Sequence, residues 1–101
     1  MLKNRLISSE VFKMDYSRIS NKVLYDVNVS VKGRLLMLFL IGICEEKEID
    51  SVDISIEILS KALKYSNKTI IKAMKELEEK GYIEKIRRGQ GKNNLYKIIW
   101  G

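Results

Sequence analysis

Residues 54–98 read ISIEILSKALKYSNKTIIKAMKELEEKGYIEKIRRGQGKNNLYKI, and the punctuation of this stretch sets the fold. Ser55 suits the N-cap of a helix over about 56–64, with Glu57 in its first turn, where the helix dipole favours an acid. Its inward set is expected to be Ile58, Leu59 and Ala62, with Leu63 close by. After Tyr65, Ser66 suits the cap of a second helix over about 67–80. That helix carries Ile70, Ala73, Met74 and Leu77 on one face, and Gly81 supplies a left-handed stop. Two runs rich in β-forming residues follow, 82–86 and 95–100. The segment Arg87-Arg88-Gly89-Gln90-Gly91-Lys92-Asn93-Asn94 joins them as the long loop of a hairpin.

Upstream of this stretch, Ile49–Ile54 alternates apolar and polar like a short strand, after a polar break over Glu45–Asp50. Ser30 suits the cap of a helix over about 31–46, whose apolar positions are Val31, Leu35 to Ile41, Ile43 and Cys44. These are too many for one stripe, so cover is expected on more than one side, from the N-terminal arm or a second subunit. Gly42, costly in a helix interior, then reads as a point of close backbone approach. Ser17–Tyr25 reads as a helical turn with Ile19, Val23 and Leu24 inward. Leu6, Ile7, Val11, Phe12 and Met14 fit a short helix or an extended arm equally well. The expected class is α+β, mostly α, ordered helix, strand, helix, turn, helix, hairpin. It divides into an arm over 1–29, a possible dimerisation element, and a domain over 30–101.

The net charge of +6 is unevenly spread. Residues 1–60 carry 8 Lys/Arg and 9 Asp/Glu, whereas residues 61–101 carry 11 Lys/Arg and 4 Asp/Glu. A neutral half joined to a strongly basic half suits a phosphate-binding face, because each neutralised phosphate releases condensed counterions. The alternative is a basic surface that meets only solvent or an acidic protein.

Two short helices joined by a tight turn, the second basic on its outer face, form a helix-turn-helix arrangement. With Ile70, Ala73, Met74 and Leu77 inward, Asn67, Lys68, Ile71, Lys72 and Lys75 point outward. Such a face offers an amide suited to adenine, ammonium groups for guanine or phosphate, and an apolar contact for a thymine methyl. Ile71 is the informative member, since a merely solvated face gains nothing from it. Contact of Ile71 with the hairpin or another subunit is the structural alternative. At the helix start Ser66 and Thr69 are candidate DNA contacts, Thr69 suiting either a phosphate or support of the Ser66 cap. In the hairpin loop, Arg87, Arg88, Gln90, Lys92 and Asn93 surround two glycines without a single acid over 87–94, which suits a minor groove or phosphates.

The stretch 54–98 resembles the winged helix-turn-helix pattern of many bacterial, archaeal and phage DNA-binding proteins. The resemblance rests on the Ser-x-x-Thr opening, Ser66 to Thr69, and on the closing Leu-Glu-x-x-Gly-Tyr-Ile segment, Leu77 to Ile83. It implies a recognition helix over 67–80 lying in the major groove and a wing made by the loop. Upstream, Phe12–Tyr16 followed by Val29–Leu36 resembles the N-terminal domains of plasmid and phage replication initiators. Small stand-alone proteins of this pattern also serve as centromere-binding adaptors in plasmid partition and as repressors of mobile elements. The implied function is double-stranded DNA binding as a homodimer on repeated or palindromic sites, with a protein partner in a partition or replication system. A protein-interaction module is the rival class.

Catalysis is not expected. The absence of His removes the commonest general base and metal ligand. The single cysteine, Cys44, excludes an internal disulfide and any cysteine-clustered zinc site, and its apolar setting suits a core residue. Glu45, Glu46, Glu48 and Asp50 lack the spacing of a calcium loop. No cofactor is expected. No signal peptide is visible, and the apolar run Leu35–Cys44 is about half of what spans a bilayer, so a cytoplasmic chain with no membrane contact is expected.

Overall fold

The computed structural model describes residues 16–99. The elements run α1 (Tyr16–Leu24), α2 (Val31–Lys47), β1 (Ser51–Asp53), α3 (Ile56–Leu63), α4 (Asn67–Glu79), β2 (Ile83–Ile86) and β3 (Leu95–Ile98). The arm expected around Leu6, Ile7, Val11, Phe12 and Met14, and Trp100 at the expected end of the last strand, lie outside the described residues.

Three serines start three helices by the same device. The Ser30, Ser55 and Ser66 hydroxyls accept from the backbone N–H groups of Gly33, Ile58 and Thr69, respectively, satisfying donors that the first helical turn leaves orphaned. α4 ends as its sequence predicts. Gly81 sits at φ 82°, and the Tyr82 N–H reaches back to the Leu77 carbonyl at 2.9 Å, closing a Schellman motif. α2 and α3 instead end on left-handed Glu48 and Lys64.

The core forms between α2, α4 and the sheet, with α1 packed on α2 and α3 on α4. Ile19 and Val23, one turn apart, bury α1 against α2. α2 contributes Gly33, Leu36, Met37, Leu40, Ile41 and Cys44, a single stripe at three- and four-residue spacing. Leu38, Phe39 and Ile43 pack partly against the same core. The wide apolar girth of α2 therefore resolves into one buried stripe with flanks, while Val31 and Leu35 stay exposed. At Gly42, among the described residues, no atom lies within 4 Å of where its Cβ would stand, so any close approach there is not made by them. Gly33 is the tight position, since a Cβ added there would stand 2.5 Å from Glu76 Oε1 and 2.9 Å from Val29 Cγ1. Leu24, expected inward, is exposed because α1 ends there and the chain turns away toward α2.

α3 also differs from expectation. Leu59 is its buried residue, flanked by half-buried Ile56 and Leu63, whereas Ile58 and Ala62 face solvent. The two sets compete as helical stripes, and the approach of α4 selects the first. The strand expected over 49–54 contracts to Ser51–Asp53. It pairs antiparallel with β3, so that among the described residues the sheet order is β1-β3-β2, with Val52 opposite Tyr96 and Ile83 opposite Ile98. Helices α2, α3 and α4 with this sheet make a winged helix-turn-helix, mostly α.

Candidate nucleic-acid interface

The turn between α3 and α4 is short and firmly held. Tyr65 N–H donates to the Ser60 carbonyl at 3.1 Å, and the Ser60 hydroxyl donates back to the Tyr65 carbonyl. Ser66 opens α4, accepting from the Thr69 amide at 3.1 Å and donating to Thr69 Oγ1 at 2.9 Å. The Ser66 hydroxyl is thus committed to the cap, and Thr69 Oγ1 supports it there.

Once Ile70, Ala73, Met74 and Leu77 are buried, helical geometry places Asn67, Lys68, Ile71, Lys72 and Lys75 in solvent, and all five are exposed. Ile71 is 55% exposed: it borders the groove beside the hairpin and keeps more than half of its surface in solvent. From Ile58 to Lys75 the chain has no acid and five lysines. The acids that follow are partly diverted. Glu76 turns toward the start of α2, its oxygens accepting from the Ser30 amide at 2.9 Å and the Ser30 hydroxyl at 2.7 Å.

Two grooves flank α4. On one side Ile71, Lys75 and Glu78 face Lys85, Arg87 and Asn94 of the hairpin. The helix face and the base of the wing therefore open on one concavity. On the other side Thr69, Lys72 and Lys75 face Ser30 and Lys32 at the start of α2. Lys32 Nζ lies 5.4 Å from the centroid of the Tyr65 ring, within cation–π range.

The loop residues separate into two groups. Arg87, Gln90 and Lys92 are exposed. Arg88 is folded back: its Nη2 lies 2.9 Å from Asp53 Oδ1 on β1, and its Nε donates to the Asn93 carbonyl at 2.9 Å. Asn93 Nδ2 donates to the same Asp53 oxygen at 3.3 Å. The Arg88 bond, aided by Asn93, holds the Asp53 carboxyl below its ordinary range.

Lys32, Lys85, Asn94 and Asp53 belong to this surface, and sequence reasoning does not pick them out. Lys85 carries a signal, since strand alternation puts it on the same face as buried Ile83. Lys32 carries none, because it is the packing of α2 on α4, 46 positions apart at the Ser30–Glu76 contact, that brings the start of α2 beside α4.

Residues 51–83 match the model of a helix-turn-helix domain family. The matched span runs from β1 through the two helices of the motif to the start of β2. A solved structure described as the N-terminal domain of a DNA binding protein superposes with a TM-score of 0.60, at 16% sequence identity, covering 97% of this chain and 84% of that one. At that identity the likeness shows a shared fold. No curated protein matches the sequence. No helix among the described residues is long and apolar enough to cross a membrane.

Proposed function

We propose that this protein binds double-stranded DNA, with α4 in the major groove and the exposed residues of the wing on the adjacent backbone. The observation that carries the reading is the shared groove between Ile71 and Lys75 of the helix and Lys85 and Arg87 of the hairpin. A duplex seated on α4 meets both. Asn67 supplies an amide for base edges, Ile71 an apolar contact, and Lys68, Lys72 and Lys75 the charge for phosphate or guanine. Arg87, Gln90 and Lys92 extend the footprint from the wing, and Lys32 extends it from α2.

One such module offers few base contacts, so sequence-specific affinity calls for two modules on paired half-sites. The turn between α1 and α2 and the first turns of α2 carry exposed Leu24, Tyr25, Val27, Val31 and Leu35, with Val27 83% exposed, which supports pairing of two copies there. The function is then that of a transcription regulator or plasmid-partition adaptor of a mobile element, held in the cytoplasm on repeated or palindromic sites. Replication initiation is the second reading, favoured by the resemblance of Phe12–Tyr16 and Val29–Leu36 to initiator domains.

Fluorescence anisotropy with a labelled duplex at several salt concentrations tests the core of this reading. Log affinity is expected to fall against log salt with a slope of about −0.9 for each phosphate contacted. Lys72→Glu combined with Arg87→Glu should abolish binding while leaving the melting temperature nearly unchanged. Absence of any wild-type binding at low salt would remove the DNA reading in favour of a protein-interaction module. Selection from random duplexes then gives the site, and its place beside a promoter, a centromere repeat or an origin assigns the role.

A further inference from the structure

The wing loop has two adjacent arginines, and the fold treats them differently. Arg87 is exposed in the groove beside α4, whereas Arg88 is half-buried against β1. Asp53 binds the entrance of the loop through Arg88 and its exit through Asn93. Arg88 Nε closes the same ring by donating to the Asn93 carbonyl. Between these anchors lie Gly89 and Gly91 at φ 94° and 80°, with one backbone turn bond, Lys92 N–H to the Gly89 carbonyl at 3.4 Å. A loop with two positive-φ glycines and so few internal bonds has little else to give it one shape. A partly exposed ion pair adds little to global stability, so its effect belongs to the local order of the loop.

Resting on the DNA reading above, we propose that Arg88 is a positioning residue: with Asp53 and Asn93 it latches the wing so that Arg87 and Lys92 face the duplex, and it does not itself neutralise a phosphate. The competing geometry has Arg88 leaving Asp53 for the DNA backbone. The two differ in sign at one position. If Asp53 merely competes with DNA for Arg88, its neutralisation frees a cation, removes repulsion and tightens binding. If Asp53 holds the latch, its neutralisation lets the loop disorder, and binding weakens because that order must be regained in the complex.

The experiment compares wild type, Asp53→Asn, Arg88→Ala, their double variant and Arg87→Ala, each as the full chain with a labelled 30-base-pair duplex. Loss of preorganisation is expected to weaken Asp53→Asn and Arg88→Ala each by roughly 3- to 10-fold. The double variant should be no weaker than the weaker single one, and both singles should keep the wild-type salt slope. Arg87→Ala should instead reduce the slope by about 0.9, the signature of one lost phosphate. In the free protein, heteronuclear NOE values over residues 89–93 should fall in Asp53→Asn. Tighter binding by Asp53→Asn, a slope reduced by about 0.9 in Arg88→Ala, or unchanged NOE values would each overturn the latch. If wild type binds no duplex, the DNA reading fails by itself, and the NOE comparison alone decides whether Asp53 orders the loop.

Discussion

Glu76 sits where α2 and α4 meet, one oxygen on the Ser30 amide and the other on the Ser30 hydroxyl. Helical spacing alone places it beyond the DNA-facing part of its helix, within pairing reach of Lys80. Local spacing cannot show otherwise, since its partner lies 46 positions away. Removing it as Glu76→Ala takes a carboxylate from the positive end of α2 and should cost about 1 kcal/mol in urea denaturation. Tyr82 is another such tie: its hydroxyl donates to Asp26 Oδ2 at 2.6 Å, which holds the Asp26 carboxyl below its ordinary range. Because the folded state lowers this pKa, the contact stabilises above the ordinary carboxylate range, and the benefit is lost as pH falls through the folded value. Tyr82→Phe should therefore flatten the loss of melting temperature on acidification below about pH 4. Cys44 behaves as its apolar setting predicts. It is fully buried, burial pushes its thiol up to about 11, and thiol reagents at pH 8 should label it only as the protein unfolds. Rapid labelling of the native protein would contradict that placement.

At the scale of elements, the two glycines of α2 give opposite expectations in one helix. Among the described residues nothing meets a Cβ at Gly42, so Gly42→Ala should stabilise by about 0.5–1 kcal/mol through helix propensity alone. A methyl at Gly33 meets the Glu76 carboxylate and Val29, so Gly33→Ala must displace the carboxylate that caps α2. It should destabilise by about 1 kcal/mol despite the better propensity. A loss at Gly42 would mean that its face is covered, as the sequence suggests. The helix starts are legible because a serine side chain announces an orphan N–H group locally, and the end of α4 because a positive φ asks for glycine. The inward face of α3 is not legible. Ile56, Leu59 and Leu63 compete with Ile58 and Ala62 along only 8 residues, and tertiary contact decides between them. Consistent with its 56% exposure, Ile58→Ala should change stability by less than about 0.5 kcal/mol.

For the molecule as a whole, the lysine face of α4 follows from helical period and charge, and every expected outward residue stands in solvent. The wing follows only in part. Its basic composition is visible, but the division of labour between Arg87 and Arg88 depends on Asp53, which reaches the loop through β1–β3 pairing. The same scale governs assembly: sedimentation equilibrium at tens of micromolar should give a mass near twice 11.7 kDa, and Val31→Glu with Tyr25→Glu should return it to the monomer. The proposed function requires one duplex to touch the outward side of α4 and the wing together. Amide chemical-shift perturbation on titration with a duplex tests it most directly. Shifts should concentrate at residues 66–75 and 87–93 and appear in parallel as DNA is added. Shifts confined to the hairpin, or gathered at residues 24–35 with α4 silent, would contradict it.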